Sequence, residues 1–119
     1  MGILTSGVSY LYVKEVVANL GLKPTILKIG TPHPFPSEIA ADFLSQVDQV
    51  IVVEELDPVL EEGIIQLAAR TGFKGRIHGK LSGELPRAGE YSFDLVRQCI
   101  VNILEIRFAS VSDLENEKS

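Results

Sequence analysis

Two adjacent carboxylates, Glu54 and Glu55, are the residues whose type and position most directly suggest chemistry. They follow Val50–Val53, a run of β-branched apolar residues without polar alternation. A strand that is apolar on both faces is typical of a parallel sheet, and ligands usually bind at the carboxyl ends of such strands. Neighbouring strand residues point to opposite faces, so these carboxylates cannot act together on one substrate. We expect them to cap a helix and contact a neighbouring domain. The alternative is that one faces an active-site cleft completed by another chain.

A second group of polar residues, Thr5, Ser6, Gly7 and Ser9, stands between a predicted first strand and a predicted helix. Hydroxyls and free amides at a helix N-terminus can bind a phosphate or a carboxylate. Gly7 is the only glycine of this turn, so the G-x-G-x-x-G pattern of dinucleotide-binding loops is absent. We expect simple capping of the helix here, and a small-anion site is the alternative.

The other reactive side chains do not form a recognisable catalytic or metal-binding pattern. Gly79-Lys80 lacks the first glycine and the Ser/Thr of a phosphate loop, so we expect Lys80 to be a solvated charge on an edge strand. His33 and His78 have no ligand at a metal-binding spacing, and no G-x-S-x-G motif is present. The single cysteine, Cys99, lies in an apolar helical pattern and is expected to be buried and unreactive.

The segment Gly83–Glu90 is a loop of alternating charge, with Arg87 between Glu84 and Glu90. A simple connection does not need this charge pattern, so we expect the loop to dock against a partner surface. The residues predicted to form an interface are Glu54, Glu55, Glu84, Arg87 and Glu90.

Four predicted strands alternate with four predicted helices along the chain. The strands are expected at residues 2–4, 25–29, 49–54 and 76–81. The expected helix N-caps are Ser6 or Ser9, Ser37, Asp57 and Ser92, and the expected helix ends are Gly21 and Thr71-Gly72. This alternation predicts an α/β fold: a single three-layer domain with a mainly parallel sheet. We place it at residues 1–109, followed by a polar, acidic tail at residues 110–119.

Composition restricts the class of protein. A chain of 119 residues with 45% hydrophobic residues fits one soluble globular domain. The net charge of −5 argues against nucleic-acid binding, which needs a basic face. The absence of a long apolar run or a signal peptide predicts no membrane contact, and the single cysteine is in keeping with a reducing compartment. We therefore expect a cytoplasmic protein.

Four stretches of the chain together resemble a known family. They are Leu4–Tyr10, Leu27–Pro36, Val52–Leu56 and Gly79–Glu90. In this order they are similar to one region of the alpha subunit of indolepyruvate ferredoxin oxidoreductase, and the resemblance covers about residues 2 to 100. It implies the middle domain of that subunit, which is similar to the C-terminal domain of transketolase and is itself an α/β layer.

The resemblance also implies a parent reaction. The family oxidatively decarboxylates aryl pyruvates to acyl-coenzyme A with thiamine diphosphate and magnesium, and passes electrons through 4Fe-4S clusters to ferredoxin. This sequence lacks both the G-D-G…N stretch for magnesium and diphosphate and the C-x-x-C-x-x-C run for clusters. We therefore assign it no catalytic, cofactor-binding or metal-binding residue.

Three functions are compatible with these observations. The first is an accessory domain, inactive alone, that assembles with other domains or subunits of a 2-oxoacid ferredoxin oxidoreductase. The second is a stand-alone regulatory α/β module that binds a small anion. The third is a folded remnant without a partner.

Overall fold

The computed structural model describes residues 1–31, 33–55, 58–86 and 91–118, with side chains described as far as residue 105. Strands and helices alternate as the sequence predicts. The strands are β1 (Gly2–Ser6), β2 (Thr25–Ile29), β3 (Gln49–Val53) and β4 (Arg76–His78). The helices are α1 (Tyr10–Leu20), α2 (Ser37–Ser45), α3 (Val59–Thr71) and α4 (Phe93–Lys118).

The four strands form one sheet in the order β2-β1-β3-β4, and all three described pairs are parallel. The chain leaves β1 towards β2 on one side, then returns past β1 to β3 and continues to β4 on the other side. The connections after β1 and β3 therefore leave these two neighbouring strands in opposite directions, which is the topological position where parallel α/β sheets usually bind ligands. The predicted parallel sheet is confirmed.

Strand β3 is buried on both faces because a helix layer covers each side of the sheet. Ile51 and Val53 pack in the core beneath α1 and α4. Val50 and Val52 pack in the second core, beneath α2 and α3. All five residues of β3 are buried, which explains why its sequence shows no polar alternation. The predicted three-layer α/β domain is confirmed.

Three predicted helix ends are confirmed by their backbone geometry or capping bonds. Gly21 and Gly72 end α1 and α3 with left-handed φ values of 67° and 79°. Ser92 precedes α4, and its Oγ accepts a hydrogen bond from the amide of Leu95 at 3.2 Å.

Other predicted boundaries are wrong by a few residues. Strand β1 continues to Ser6, because Thr5 and Ser6 remain in register with β2. Strand β3 ends at Val53, one residue earlier than predicted. Strand β4 ends at His78 rather than at Leu81, because the chain turns directly after it.

Two predicted N-caps also differ from the structure. Ser37 is the first residue of α2, where Pro36 holds the N-cap position without a side-chain hydrogen bond. The Oγ of Ser37 instead donates back to the carbonyl of Phe35. At α3 the N-cap position belongs to Pro58, and Asp57 lies outside the described residues.

Helix α4 is helical in its backbone as far as Lys118. It therefore includes most of the polar segment 110–119, and the domain boundary at residue 109 stays a prediction. Within the described part of the chain, no helix is long and apolar enough to cross a membrane.

Candidate functional site

Four polar side chains meet at the carboxyl ends of β3 and β4, and we call Glu54, Glu61, Lys80 and Tyr91 the strand-end cluster. Glu54 directly follows β3, Glu61 lies in the first turn of α3, and Lys80 lies two residues after β4. Tyr91 lies two residues before α4. The parallel sheet explains this meeting, because the ends of neighbouring parallel strands lie at the same edge.

Glu54 caps helix α3. Its side chain is 4% exposed, and its carboxylate accepts hydrogen bonds from the amides of Leu60 at 3.0 Å and Glu61 at 2.9 Å. These amides belong to the first turn of the helix, where no carbonyl is available to them. Burial raises the pKa of the Glu54 carboxyl, although the two amides and the nearby Lys80 oppose the shift. The expectation that Glu54 caps a helix is thereby confirmed.

Glu61 holds the loop that follows β4. It is 1% exposed, and its Oε1 accepts hydrogen bonds from the amides of Lys80 at 2.7 Å and Leu81 at 3.1 Å. Sequence reasoning missed this role, because an acid near a helix start is usually a solvated partner of the helix dipole. The signal was present, since Glu61 precedes the buried Ile64 and Ala68 at helical spacing.

Lys80 is buried, so the predicted solvated edge charge is wrong. Its side chain is 4% exposed, and Nζ lies 5.6 Å from the centre of the Tyr91 ring. The ring and the negative charge of Glu54 contribute to offsetting the ammonium's loss of hydration. The Tyr91 hydroxyl donates to the carbonyl of Pro86 at 3.1 Å. This bond connects the loop after β4, which contains Pro86, to the strand-end cluster.

His78 also contacts the loop after β4, through Glu84. Its Nδ1 lies 2.9 Å from Oε1 of Glu84, and its Nε2 lies 3.3 Å from Oε1 of Gln49. Burial alone would raise the pKa of Glu84, but hydrogen bonds from Ser82 and His78 outweigh it and hold this pKa below its ordinary value. The described part of the charged loop is therefore bound internally at Glu84.

Three of the five predicted interface residues, Glu54, Glu55 and Glu84, lie among the described residues. Glu54 lies inside the strand-end cluster, whereas Glu55 is half-buried beside it. Glu84 is paired with His78. Arg87 and Glu90 lie outside the described residues, so the interface stays a prediction.

The predicted anion-binding residues are largely used within the fold. Thr5 donates its hydroxyl to the carbonyl of Val53 at 2.8 Å, which joins β1 to β3. The Oγ of Ser6 accepts a hydrogen bond from the amide of Ser9. Ser9 is fully buried and its Oγ has no partner, while the space around Gly7 is open. The anion site stays a prediction.

The described residues do not offer ligands for the magnesium ion or the 4Fe-4S clusters that the resemblance implies. No cluster of three or more His, Cys, Asp or Glu side chains that could hold a metal occurs among them. Cys99 is buried, as predicted, and burial raises the pKa of its thiol. Glu54 and Glu61 already use their oxygens on backbone amides.

Fold and cluster together define a parallel α/β domain whose strand-end charges are bound within the domain. Three curated proteins that are similar to it carry the name of one and the same subunit. Indolepyruvate oxidoreductase subunit IorA of Methanothermobacter marburgensis is 41% identical over 107 residues, which is 90% of this chain and 17% of that protein. The subunits of the same name from Methanothermobacter thermautotrophicus and Archaeoglobus fulgidus are 38% and 37% identical over 84% and 90% of this chain, and 16% of each relative.

The resemblance to the alpha subunit of indolepyruvate ferredoxin oxidoreductase is thereby confirmed for nearly the whole chain. The chain spans about a sixth of the length of these curated relatives. No family model and no solved structure matches it.

Proposed function

We propose that this chain is an accessory, assembly domain of a 2-oxoacid ferredoxin oxidoreductase that acts on indolepyruvate. The parent reaction is the thiamine-diphosphate-dependent oxidative decarboxylation of aryl pyruvates to acyl-coenzyme A, with ferredoxin as electron acceptor. The chain is inactive alone and contributes shape and contacts. Its partners are other domains or subunits of the same cytoplasmic enzyme.

The observation that carries this proposal is the sequence likeness to subunit IorA over 84–90% of the chain. The internal use of the strand-end charges supports the same function. The carboxylates of Glu54 and Glu61 accept hydrogen bonds from backbone amides, and Glu84 pairs with His78. Because these contacts lie within the domain, we do not assign the three carboxylates an acid–base role on a substrate. Thiamine diphosphate, magnesium and the 4Fe-4S clusters are accordingly assigned to other parts of the enzyme.

A domain exchange tests the proposal. In the M. marburgensis subunit, the 107 matching residues are replaced by those of this chain. The chimeric subunit is expected to assemble and to retain indolepyruvate-dependent reduction of an electron acceptor. The purified chain alone is expected to have no such activity. A chimera that folds but neither assembles nor turns over would contradict the assembly function, and turnover by the chain alone would contradict its inactivity.

A small-anion-binding regulatory module is the second candidate. The buried, unpartnered Oγ of Ser9 at the start of α1 favours it. Inorganic phosphate would then raise the melting temperature of the isolated chain, and Ser9→Ala would abolish the increase. An unchanged melting temperature in phosphate, compared with chloride at equal ionic strength, would exclude this candidate.

A further inference from the structure

We infer that the free edge of β2 is a docking site for an extended strand from a part of the oxidoreductase that this chain does not span. The strand would pair with the backbone of β2 and lie beside helix α2. It would carry apolar side chains and a basic residue facing the acidic side chains of α2. The inference rests on the proposed function, since it takes the strand from the same enzyme.

Backbone groups of β2 are available for pairing. Among the described strands β2 pairs only with β1, and it ends the sheet. The amide of Thr25 donates to the carbonyl of Met1 at 3.1 Å, so Thr25 faces β1. Backbone direction alternates along a strand, so the amides and carbonyls of Ile26 and Lys28 face outward. An edge of this kind is a template for a further strand.

The two edges of the sheet differ in how they limit pairing. Strand β4 has three residues, and such short edge strands are one way in which proteins avoid unwanted pairing. Strand β2 has five residues, and Thr25, Ile26 and Leu27 are half-buried. Its charged residue, Lys28, places Nζ 4.8 Å from the centre of the Tyr10 ring, over α1. Lys28 therefore leaves the outer edge of β2 uncovered.

A groove beside β2 indicates what this strand would carry. It has a volume of about 160 Å³ and lies between β2 and α2. Ile39 of α2 lines it and is 59% exposed, which offers an apolar contact. Asp42 also lines the groove, and Glu38 lies exposed one turn before it. Because α2 carries no basic residue, a basic side chain on the docked strand would complement these two acids.

A second copy of this chain would be a poorer partner for the β2 edge, because its own α2 is acidic too. An antiparallel two-fold pairing of β2 would bring α2 beside its symmetry mate. The acids Glu38 and Asp42 of both copies would then lie on the same side of the joined sheet. Like charges at such a junction repel, so we expect the isolated chain to be monomeric.

Hydrogen exchange in the chimeric subunit described above tests this surface. The outward amides of Ile26 and Lys28 are compared with the inward amides of Thr25 and Leu27, which serve as references on the same strand. In the isolated chain, the outward amides are expected to exchange at least tenfold faster than the inward ones. In the chimera, they are expected to slow by at least tenfold.

Variants of the chimera test the groove separately. Ile39→Lys and Asp42→Lys are expected to lower the yield of assembled, active subunit, whereas Leu11→Lys serves as a control at an apolar residue that is 65% exposed on α1. Equal losses in all three variants would contradict a specific role for the groove.

These experiments distinguish a failure of the docking site from a failure of the proposed function. An active chimera with unprotected outward amides would overturn the docking site and leave the function standing. An inactive, unassembled chimera would remove the function and this inference with it. A dimer of the isolated chain, with its outward β2 amides protected, would make a second copy the occupant and overturn the inference.

Discussion

Gly79 and Glu61 fit together across the turn that follows β4. A Cβ atom on residue 79 would lie 2.5 Å from both Cδ and Oε1 of Glu61, closer than such atoms approach in proteins. The same carboxylate accepts hydrogen bonds from the amides of Lys80 and Leu81. It cannot move aside without leaving these donors unpaired, so the contact requires glycine at position 79.

Gly79→Ala is expected to lower the free energy of unfolding by about 1–3 kcal/mol, since the added methyl overpacks a buried contact. Urea denaturation with a two-state fit measures the change. Gly30→Ala is the matched control, because no heavy atom lies within 4 Å of its Cβ position. Its effect should stay within about 0.5 kcal/mol. Equal losses in the two variants would show that the Glu61 contact is not the cause.

A double-mutant cycle at positions 61 and 79 isolates the contact itself. Glu61→Ala alone is expected to cost about 1–3 kcal/mol, because it leaves the amides of Lys80 and Leu81 without their acceptor. It also empties the space that the alanine methyl at 79 would enter. The double variant should therefore be more stable than the sum of the single effects predicts, by about 1 kcal/mol or more. Additive losses in denaturant titrations would contradict direct contact.

The fold was predictable because each layer leaves a local signature. The uninterrupted run Val50–Val53 has two buried faces, and the glycines after α1 and α3 adopt the left-handed geometry that ends helices. Strand ends were less predictable. Thr5 and Ser6 look like turn residues, but pairing with β2 keeps them in the sheet. Such pairing depends on a distant segment, which local preference does not include.

The strand-end cluster could be predicted only in part. The position of Glu61 on the apolar face of α3 is visible in the sequence. Lys80 is different, because nothing near it in the sequence favours burial of an ammonium group. Glu54 and the ring of Tyr91, which contribute to its compensation, reach it from other elements. Charge compensation across elements is a tertiary property, so the sequence indicates only the ordinary solvated lysine.

The contribution of Glu54 to the free energy of unfolding should decrease as pH rises, which is unusual for a carboxylate. Burial raises its pKa above 4.5, so the folded protein binds more protons at this site than the unfolded chain does. The contribution is therefore complete below pH 4.5 and is lost as pH rises through the folded-state pKa. The free energy of unfolding of the wild type, minus that of Glu54→Gln, should fall with rising pH. Glu15→Gln, at an exposed site, corrects for the loss of one charge.

Carboxyl carbon shifts in nuclear magnetic resonance titrations check the same point directly. The Glu54 resonance should titrate above 4.5. A titration below that value would mean that the amides of Leu60 and Glu61 outweigh burial.

Glu84 should show the opposite dependence. Its pKa lies below 4.5 in the fold because the hydrogen bonds from Ser82 and His78 outweigh burial. Its contribution is present above pH 4.5 and is lost as pH falls through the folded-state pKa. Glu84→Gln should cost about 1 kcal/mol at neutral pH, and less in acid, where the wild type loses the same interaction. Chemical denaturation across this pH range measures the difference, and a constant difference would contradict the pairing with His78.

Tyr91 gives a test of the cluster at alkaline pH. Burial, together with nearby acidic groups led by Cys99 and Glu54, raises the pKa of its phenol to about 12. Its contribution to stability is complete below the ordinary value of 10 and is lost as pH rises through about 12. Tyr91→Phe removes the hydroxyl that donates to Pro86, at a cost of about 1 kcal/mol.

An ultraviolet difference titration of the wild type against Tyr91→Phe isolates this phenol from the other two of the chain's three tyrosines. Circular dichroism at each pH confirms that the protein remains folded during the measurement. A midpoint near 12 is expected, because burial and, to a smaller extent, the nearby acidic groups disfavour the phenolate and so raise the pKa of Tyr91. A midpoint near 10 in folded protein would mean that water reaches the hydroxyl. The hydrogen bond to Pro86 would then not hold the loop after β4 against the cluster.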